Sequence, residues 1–385
     1  MRTINFILFF TIFFAIYGLV NYYIFIRGWQ SIPPGSPLRV YYLILFLIFA
    51  FSFIAGRVLE RFWLAIPSNV LIWIGSFWLS AIIYFFLIIL LLDLLRLINH
   101  WLSFFPTFIT DDYRRTKQIS TLVAIGVVII LLAAGYINSL NPRIKTLHLT
   151  IPKPVDGPKT VNLVIASDIH LGTLISNSRF NQIVDRINQL KPDIVLLPGD
   201  IVDEDLAPVI KYNLGQALRN IKSTFGVIAI TGNHEYIGGV EKACKYLQDH
   251  NVTVLRDSAI KINDSFYIIG REDRGIKSFT GKTRKPLEEL LTKVDKSYPL
   301  ILLDHQPFNL EQGVENNIDL QISGHTHHGQ LWPFNYITNM MYEVSWGYKK
   351  KENTQVYVSS GVGTWGPPVR IGNRPEIVTI KLSFQ

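Results

Sequence analysis

The sequence predicts a layered α/β domain behind a four-helix transmembrane region, and three observations carry that prediction. Of the 385 residues only 17% are charged while 49% are hydrophobic, with a mean hydropathy of +0.26. The average conceals two unlike halves, because residues 1–138 hold nine Lys/Arg against four Asp/Glu and residues 139–385 hold 28 against 25. From about Lys145 onward, short β-branched runs alternate with polar helical patterns, the texture of an α/β layered domain. A soluble domain averages about 25% charged residues, so one uniform soluble body is excluded. High apolar content with 26 Gly and 19 Pro excludes disorder and collagen-like repeats. The single cysteine, Cys244, excludes an intramolecular disulfide framework and any Cys-rich zinc module.

Four stretches are long enough to cross a hydrocarbon core as helices, which takes roughly 20 apolar residues. They run over about 5–26, 40–56, 69–92 and 119–137, each flanked by Arg or Lys and free of ionisable side chains inside. A cleaved signal peptide competes for the first, but its apolar core exceeds the ~7–15 residues expected and no small-residue cleavage site follows. The loop Asp93–Gln118 mixes Trp101, Phe104, Phe105 and Phe108 with Asp111, Asp112, Arg114, Arg115 and Lys117. It is either an amphipathic segment in the membrane interface or a solvated connector. An even number of spans puts both termini on one side. Arg2, Arg57, Arg61, Arg143 and Lys145 lie there, and Arg27, Arg39, Arg96, Arg114, Arg115 and Lys117 lie opposite. That is nearly a tie under the positive-inside rule. The cluster Arg114–Arg115–Lys117 stands directly before the fourth span like the basic start of a signal anchor, and points the C-terminal part to the extracytoplasmic side. Spans without charge at depth argue against an ion or proton pathway. They read as an anchor or as a cradle for a lipid-like substrate.

The chain therefore divides into a transmembrane region over 1–138, a linker over 139–159 and a folded domain over 160–385. Strands are expected at Val161–Ser167, Ile194–Leu197, Val227–Ile230, Phe266–Ile269, Leu300–Leu303, Asp319–Ile322, Gln355–Val358 and Ile377–Leu382. Helical patterns lie near Ser178–Gln189, Pro208–Ile221, Val240–His250 and Lys285–Lys293. Some 240 residues suffice for one domain with a substantial core.

Five of these strands end in clusters of Asp, Asn, His and Gly. The clusters are Asp168-Ile169-His170, Gly199-Asp200, Gly232-Asn233-His234-Glu235, Asp304-His305, and Gly324-His325-Thr326-His327-His328-Gly329. Ligands in α/β sheets bind outside the carboxyl ends of strands, where loops from several elements converge. Carboxylate, imidazole and amide oxygen without thiolate suit Mn, Fe, Zn and similar divalent ions. Alternate residues leaving a strand, as in Asp168-x-His170 and His325-x-His327, can face one site. Asp200 is the best bridge, since its two oxygens can contact two cations. Each motif alone is weak, and Gly-Asp or Gly-Asn-His reads equally well as turn or capping chemistry. The ordered set is strong.

That order resembles the calcineurin-like metallophosphoesterase superfamily over roughly residues 160–383, with all five motifs intact. Gly329-Gln330, Gly361-Val362-Gly363-Thr364 and Arg370 through Pro375-Glu376 resemble its branch of membrane-attached bacterial phosphoesterases. The resemblance implies a four-layer αββα sandwich with a di-metal site at the strand ends. It implies Asp168, His170 and His327 on a first metal, Asn233, His305 and His325 on a second, and Asp200 between them. His234 falls where the family places a histidine facing the substrate phosphate. The implied reaction is in-line attack on phosphorus by a hydroxide that the two metals activate. His328 departs from the Gly of many members, and is either a substrate or supporting contact or an exposed loop residue.

Other residues stay open. Asp203 and Glu235 are either orienting groups behind the ligands or solvated turn residues, and Arg370 pairs either with a substrate phosphate or in a structural ion pair. Asp304 is expected to support the loop beside His305. His100, His148 and His250 are expected at the surface or in interfaces, and Cys244 buried and inert. The function expected is a membrane-anchored, metal-dependent phosphoesterase acting on a phosphorylated small molecule or lipid. The alternatives are a membrane scaffold or transport component with a non-catalytic domain of this type, and a nuclease. A net charge of only +3 over residues 139–385, without a basic stripe, leaves little footprint for nucleic acid.

Overall fold

The structure, a computed structural model, describes residues 2–385, with side chains described for residue 8 and from residue 10 onward. Arg2, counted above among the charges, has its side chain outside that range. The chain forms two compact units, Met1–Gly135 and Tyr136–Gln385.

The first unit is built from α1 (Arg2–Ser31), α2 (Leu38–Phe62), α3 (Ile66–Leu102), the short α4 (Thr107–Thr110) and most of α5 (Tyr113–Ser139). Phe10–Ser31 and the whole of α2, α3 and α5 are each long and apolar enough to cross a membrane. Large apolar side chains such as Leu19, Tyr41, Leu122 and Ile130 face outward, as lipid-facing helices require. Small residues let α2 and α3 approach closely, since a Cβ on Gly56 would meet the Ile72 backbone nitrogen at 2.8 Å. The helix α3 continues ten residues past the expected end at Leu92, through a stretch expected as loop. Leu94, Leu97, Ile98 and Trp101 keep the helical spacing. Asp93, the charge that breaks the apolar run, is paired with Arg27 at 2.6 Å and accepts from the Tyr23 hydroxyl at 2.5 Å.

The second unit opens with β1 (Arg143–Ile151), β2 (Thr160–Ile165), α6 (Asn177–Gln189), β3 (Ile194–Pro198), α7 (Leu206–Lys211) and β4 (Val227–Ile230). It continues with α8 (Asn233–Gly238), α9 (Val240–Asp249), β5 (Val252–Leu255), β6 (Ser258–Ile262), β7 (Phe266–Gly270), α10 (Ile276–Thr280) and α11 (Leu287–Leu290). Next come β8 (Leu300–Leu303), α12 (Glu311–Glu315), β9 (Leu320–Ser323), α13 (Phe334–Met341), β10 (Gly347–Lys351), β11 (Thr354–Val358) and β12 (Glu376–Phe384). Two six-stranded sheets result, in the orders β1-β12-β2-β3-β4-β5 and β10-β11-β9-β8-β7-β6. Their inner faces share one core, with Leu163 and Leu196 from the first sheet against Ile301, Ile322 and Tyr357 from the second. Phe180 and Ile187 of α6 and Leu247 of α9 pack on the outer face of the first sheet. Leu287, Leu290 and Leu291 cover the outer face of the second. The architecture is the four-layer αββα sandwich.

All eight expected strands are present. Residues Arg143–Ile151, within the stretch expected as a linker, instead pair in parallel with β12 along their whole length. The helix expected over Pro208–Ile221 is broken into α7 and a 3₁₀ helix at Leu214–Asn220, because Asn213 takes a left-handed turn with φ of 46°.

Candidate metal centre

Strands β2, β3 and β4 are mutually parallel, as are β8 and β9, so their carboxyl ends gather the five polar clusters. Backbone bonds lock the exit loops together. The Asp168 N–H donates to the Gly199 carbonyl at 3.2 Å, the His170 N–H to the Asp200 carbonyl at 3.0 Å, and the Gly324 N–H to the His305 carbonyl at 2.9 Å. Such sharp exits force five non-glycine residues into left-handed backbone conformations, with φ of 54° at Asp168, 53° at His170, 52° at Asp200, 72° at His325 and 45° at His327. L-residues resist this region by roughly 1–2 kcal/mol each, and residues held there cluster at functional sites. Gly199, with φ of 93°, is needed for a further reason: a Cβ there would meet His305 Nδ1 at 2.5 Å.

The loops bring three sets of donors together, the third being His170, Asp203 and His234. Asp168, His170 and His327 converge within 4.8 Å, as do Asp200, His305 and His325. In the first set His170 Nε2 and His327 Nε2 are 3.0 Å apart, and Asp168 Oδ1 is 3.8 Å from His327 Nε2. In the second, His305 Nε2 is 3.1 Å from Asp200 Oδ2, and that same oxygen is 3.9 Å from His170 Nε2 in the first set. The Asp200 carboxylate therefore stands between the two groups. Asn233 lies between Gly232 and His234, both in contact with that carboxylate; the His234 N–H donates to Asp200 Oδ1 at 2.9 Å.

A cation fits this arrangement. His305 Nδ1–H donates to the Pro198 carbonyl at 2.7 Å, so Nε2 is the ring atom turned to the Asp200 carboxylate. The buried His170 Nδ1, Asn233 Oδ1, His234 Nδ1 and His305 Nε2 have no aligned hydrogen-bond partner. Three of these face carboxylates, with His234 Nδ1 3.2 Å and His170 Nδ1 3.9 Å from Asp203 and His305 Nε2 3.1 Å from Asp200, whereas Asn233 Oδ1 has no such counter-group, and an unsatisfied buried polar group costs about 1–3 kcal/mol. Electrostatics in the metal-free protein agree. Burial, then neighbouring His234 for His170 and His305 for His325, lowers both rings to about 3, leaving them neutral with lone pairs available. Burial works against the Asp200 charge, yet His305 and His234 pull its carboxyl well below the usual range. Burial also opposes charge on His305, but Asp200 and Asp168 raise its ring well above the ordinary value.

His234 is buried beside this pair, with Nδ1 3.2 Å from Asp203 Oδ1. Asp203 is thus an orienting group for His234, not a solvated turn residue. Glu235 is fully buried, and its carboxylate takes four backbone N–H donors. Oε1 accepts from Ile201 at 2.7 Å and Val202 at 3.0 Å, while Oε2 accepts from Asp200 at 3.0 Å and Gly232 at 2.6 Å. It fastens the Asp200 loop to the Asn233 loop. Asp304 pairs with Arg271 and Arg284 beside His305, at 3.2 and 2.8 Å.

Arg370 takes neither expected role. It is fully buried and donates to the carbonyls of Gly363 at 2.7 Å and His327 at 3.2 Å, with its guanidinium 2.9 Å from His327 Nδ1. It is a strut behind a ligand candidate. His328 is half-buried, facing the Ser345 hydroxyl at 3.0 Å and the Trp346 ring. His250 is buried between Tyr246 and Asn213, and Cys244 is buried in α9. Two residues had no sequence signal. Ser167 donates to the Asp168 carboxylate, and Trp365 brings its exposed ring to 6.2 Å from that of His234.

A sequence profile described as calcineurin-like phosphoesterase matches residues 161–329. An uncharacterized metallophosphoesterase of Helicobacter pylori is 34% identical over 278 residues, covering 70% of this chain and 72% of that protein. An uncharacterized metallophosphoesterase of Campylobacter jejuni is 28% identical over 98% of both chains. A Danio rerio protein named transmembrane protein with metallophosphoesterase domain is 31% identical, covering 68% of this chain and 62% of that protein.

Proposed function

The chain belongs to the calcineurin-like metallophosphoesterase family, whose members are phosphoester hydrolases using divalent metals, and from that premise we propose a membrane-anchored enzyme with two metal ions. Its substrate is a phosphomonoester or phosphodiester. Asp168, His170 and His327 would hold one ion and Asn233, His305 and His325 the other, with Asp200 shared between them. The ions are Mn, Fe, Zn or a similar divalent metal. When bound, such a pair neutralises charge on a phosphoryl group and activates water for in-line attack.

The chain's own residues supply orientation and a proton. Glu235 fixes the Asp200 backbone, so the bridging carboxylate cannot swing away. Asp203 fixes His234 through Nδ1, leaving Nε2 to donate to a phosphoryl oxygen or to the leaving oxygen. Trp365 walls the His234 side. The observation that carries the reading is the convergence of the sets Asp168, His170, His327 and Asp200, His305, His325 about the Asp200 carboxylate.

The test uses full-length protein in nanodiscs, stripped of metal and assayed on p-nitrophenyl phosphate and its bis-ester with Mn²⁺ added back. Hydrolysis is expected only with metal, and Asp200→Asn is expected to abolish it. An Asp200→Asn protein with full metal-dependent activity removes the bridging assignment. Failure to bind any divalent metal, by elemental analysis, removes the enzyme reading and favours a binding module. The basic cluster before α5 supports an extracytoplasmic catalytic unit, and a C-terminal alkaline phosphatase fusion that is inactive in cells overturns that orientation.

A further inference from the structure

Directly after the His325–Gly329 loop the chain makes a short helix, α13, that has no buried residue. Phe334, Ile337, Met340 and Met341 recur along it at helical spacing, with Met340 87% exposed, and Tyr336 is exposed beside them. Trp332, just before the helix, is exposed as well, and Trp365 is 53% exposed while reaching toward His234. The two Trp segments are tied together. Gln330 Nε2 donates to the carbonyls of Trp365 and Pro367, both at 2.9 Å, and the Trp332 N–H donates to the Ile371 carbonyl at 2.8 Å. Seven exposed large apolar side chains thus lie on two segments tied to each other, one following the His325–Gly329 loop and the other bringing Trp365 to His234. Single exposed apolar residues are ordinary, but a contiguous group marks a binding surface.

The chain itself indicates what covers it. The last turn of α5, a helix long and apolar enough to span a membrane, is fastened to the segment that carries Trp365. Asn138 Nδ2 donates to the carbonyls of Arg370 at 2.9 Å and Asn373 at 2.7 Å, and the Ser139 hydroxyl donates to the Pro368 carbonyl at 2.9 Å. Four residues on, Arg143 stacks on Trp346 at 4.4 Å. The exit of the span and the apolar surface are therefore joined through one short loop. Trp and Tyr concentrate where bilayer meets water, and an amphipathic helix lies in that plane with its apolar face buried. A protein partner would need its own complementary face, whereas a headgroup layer lies wherever a spanning helix leaves the bilayer.

We propose that α13, with Trp332 and Trp365, is a membrane-interface docking surface that seats the metal centre against the headgroup layer, where it takes a phosphorylated amphiphile as substrate. The substrate half rests on the phosphoesterase reading above; the docking half does not.

The experiment uses full-length protein in nanodiscs of phosphatidylcholine and phosphatidylglycerol. Cys244 is buried, so Met340→Cys and, separately, Lys245→Cys on α9 each offer one accessible thiol for a fluorophore. Nitroxide carried on lipid is expected to quench the Met340→Cys probe several-fold more than the Lys245→Cys probe. Equal quenching of both probes by lipid nitroxide, with equal access for an aqueous quencher, overturns the docking surface. In parallel, Ile337→Glu with Met340→Glu is assayed on vesicles of dioleoyl phosphatidic acid or phosphatidylglycerol and on soluble nitrophenyl esters. The ratio of vesicle to soluble turnover is expected to fall about tenfold, the effect of removing one or two buried apolar side chains. An unchanged ratio overturns the amphiphile substrate. If the wild type hydrolyses neither class with metal bound, the phosphoesterase reading has failed and the quenching result alone decides the docking surface.

Discussion

Replacing Glu235 by Gln tests whether the centre is held by one buried carboxylate. Each oxygen of that group accepts two backbone N–H donors, at 2.7 and 3.0 Å for Oε1 and 3.0 and 2.6 Å for Oε2. Gln keeps one oxygen and turns an NH₂ toward the other two donors. Two hydrogen bonds to a charged acceptor are lost, each worth about 1.5–3 kcal/mol, so the change costs about 3–6 kcal/mol. In a domain of this size that lowers Tm by about 6–24 °C. Burial, then the neighbouring Asp200 charge, pushes the Glu235 carboxyl up to about 7, so the comparison belongs at pH 8.5, where the group is ionised. Because the Asp200 N–H is among the donors released, Mn²⁺ affinity is expected to fall about 10–100-fold, the usual loss when a ligand's support is removed. The assays are thermal unfolding and Mn²⁺ titration of the full-length protein. A Tm within about 2 °C of wild type, with unchanged Mn²⁺ affinity, refutes the carboxylate as anchor.

Arg370→Met keeps the length of the side chain but removes the donors to the Gly363 and His327 carbonyls, and Mn²⁺ affinity is expected to fall about 10–100-fold by titration; tight binding in the variant returns Arg370 to the phosphate-contact reading. Chelation should lower Tm, since metal at 100 times its Kd stabilises by about 2.7 kcal/mol; an unchanged Tm after verified metal removal contradicts a metal-filled core. Burial pushes the Cys244 thiol up to about 12, so the thiol stays protonated and shielded at pH 8. Its reaction with a chromogenic disulfide is expected to follow unfolding, and rapid native labelling would show α9 open.

The expected strands were those whose β-branched residues are buried on both faces, such as Ile194–Leu197 and Leu300–Leu303, where composition alone marks the element. The strands that escaped are of another kind. Lys349, Lys350 and Lys351 give β10 no apolar pattern, Ser258–Ile262 in β6 mixes apolar with polar residues, and β5 is only the four residues Val252–Leu255 close behind α9. β1 becomes a strand only because β12, more than 200 residues later, lies beside it. Pairing over that distance leaves no local trace. The candidate ligands stood out for a local reason, since polar residues crowd the ends of apolar runs. Their supports did not. A lone Arg in a Gly-rich loop reads as an anion contact, and only the fold turns Arg370 onto carbonyls. Nothing near Glu235 in sequence shows that the N–H groups of residues 200–202 point at it. At the membrane end, Asp93 reads as the close of a span because its partner Arg27 lies two helices away.

The centre is locally unfavourable in two ways at once, and the sum bears on why it persists. Five residues held at positive φ cost roughly 1–2 kcal/mol each. The buried Asn233 Oδ1, without a hydrogen-bond partner, adds about 1–3 kcal/mol. Together these are comparable to the roughly 5–15 kcal/mol by which a whole domain is stable. A fold carrying such a site needs either a compensating ligand or rigid surroundings that leave the loops no alternative. The residues bear on both. The donors match a divalent cation in chemistry, and Glu235, Arg370 and the interlocked loop backbones fix the loops from behind. Two sets of imidazole and carboxylate donors converge on Asp200, and that donor chemistry suits a divalent cation, which is the physical reason to place the chemistry there.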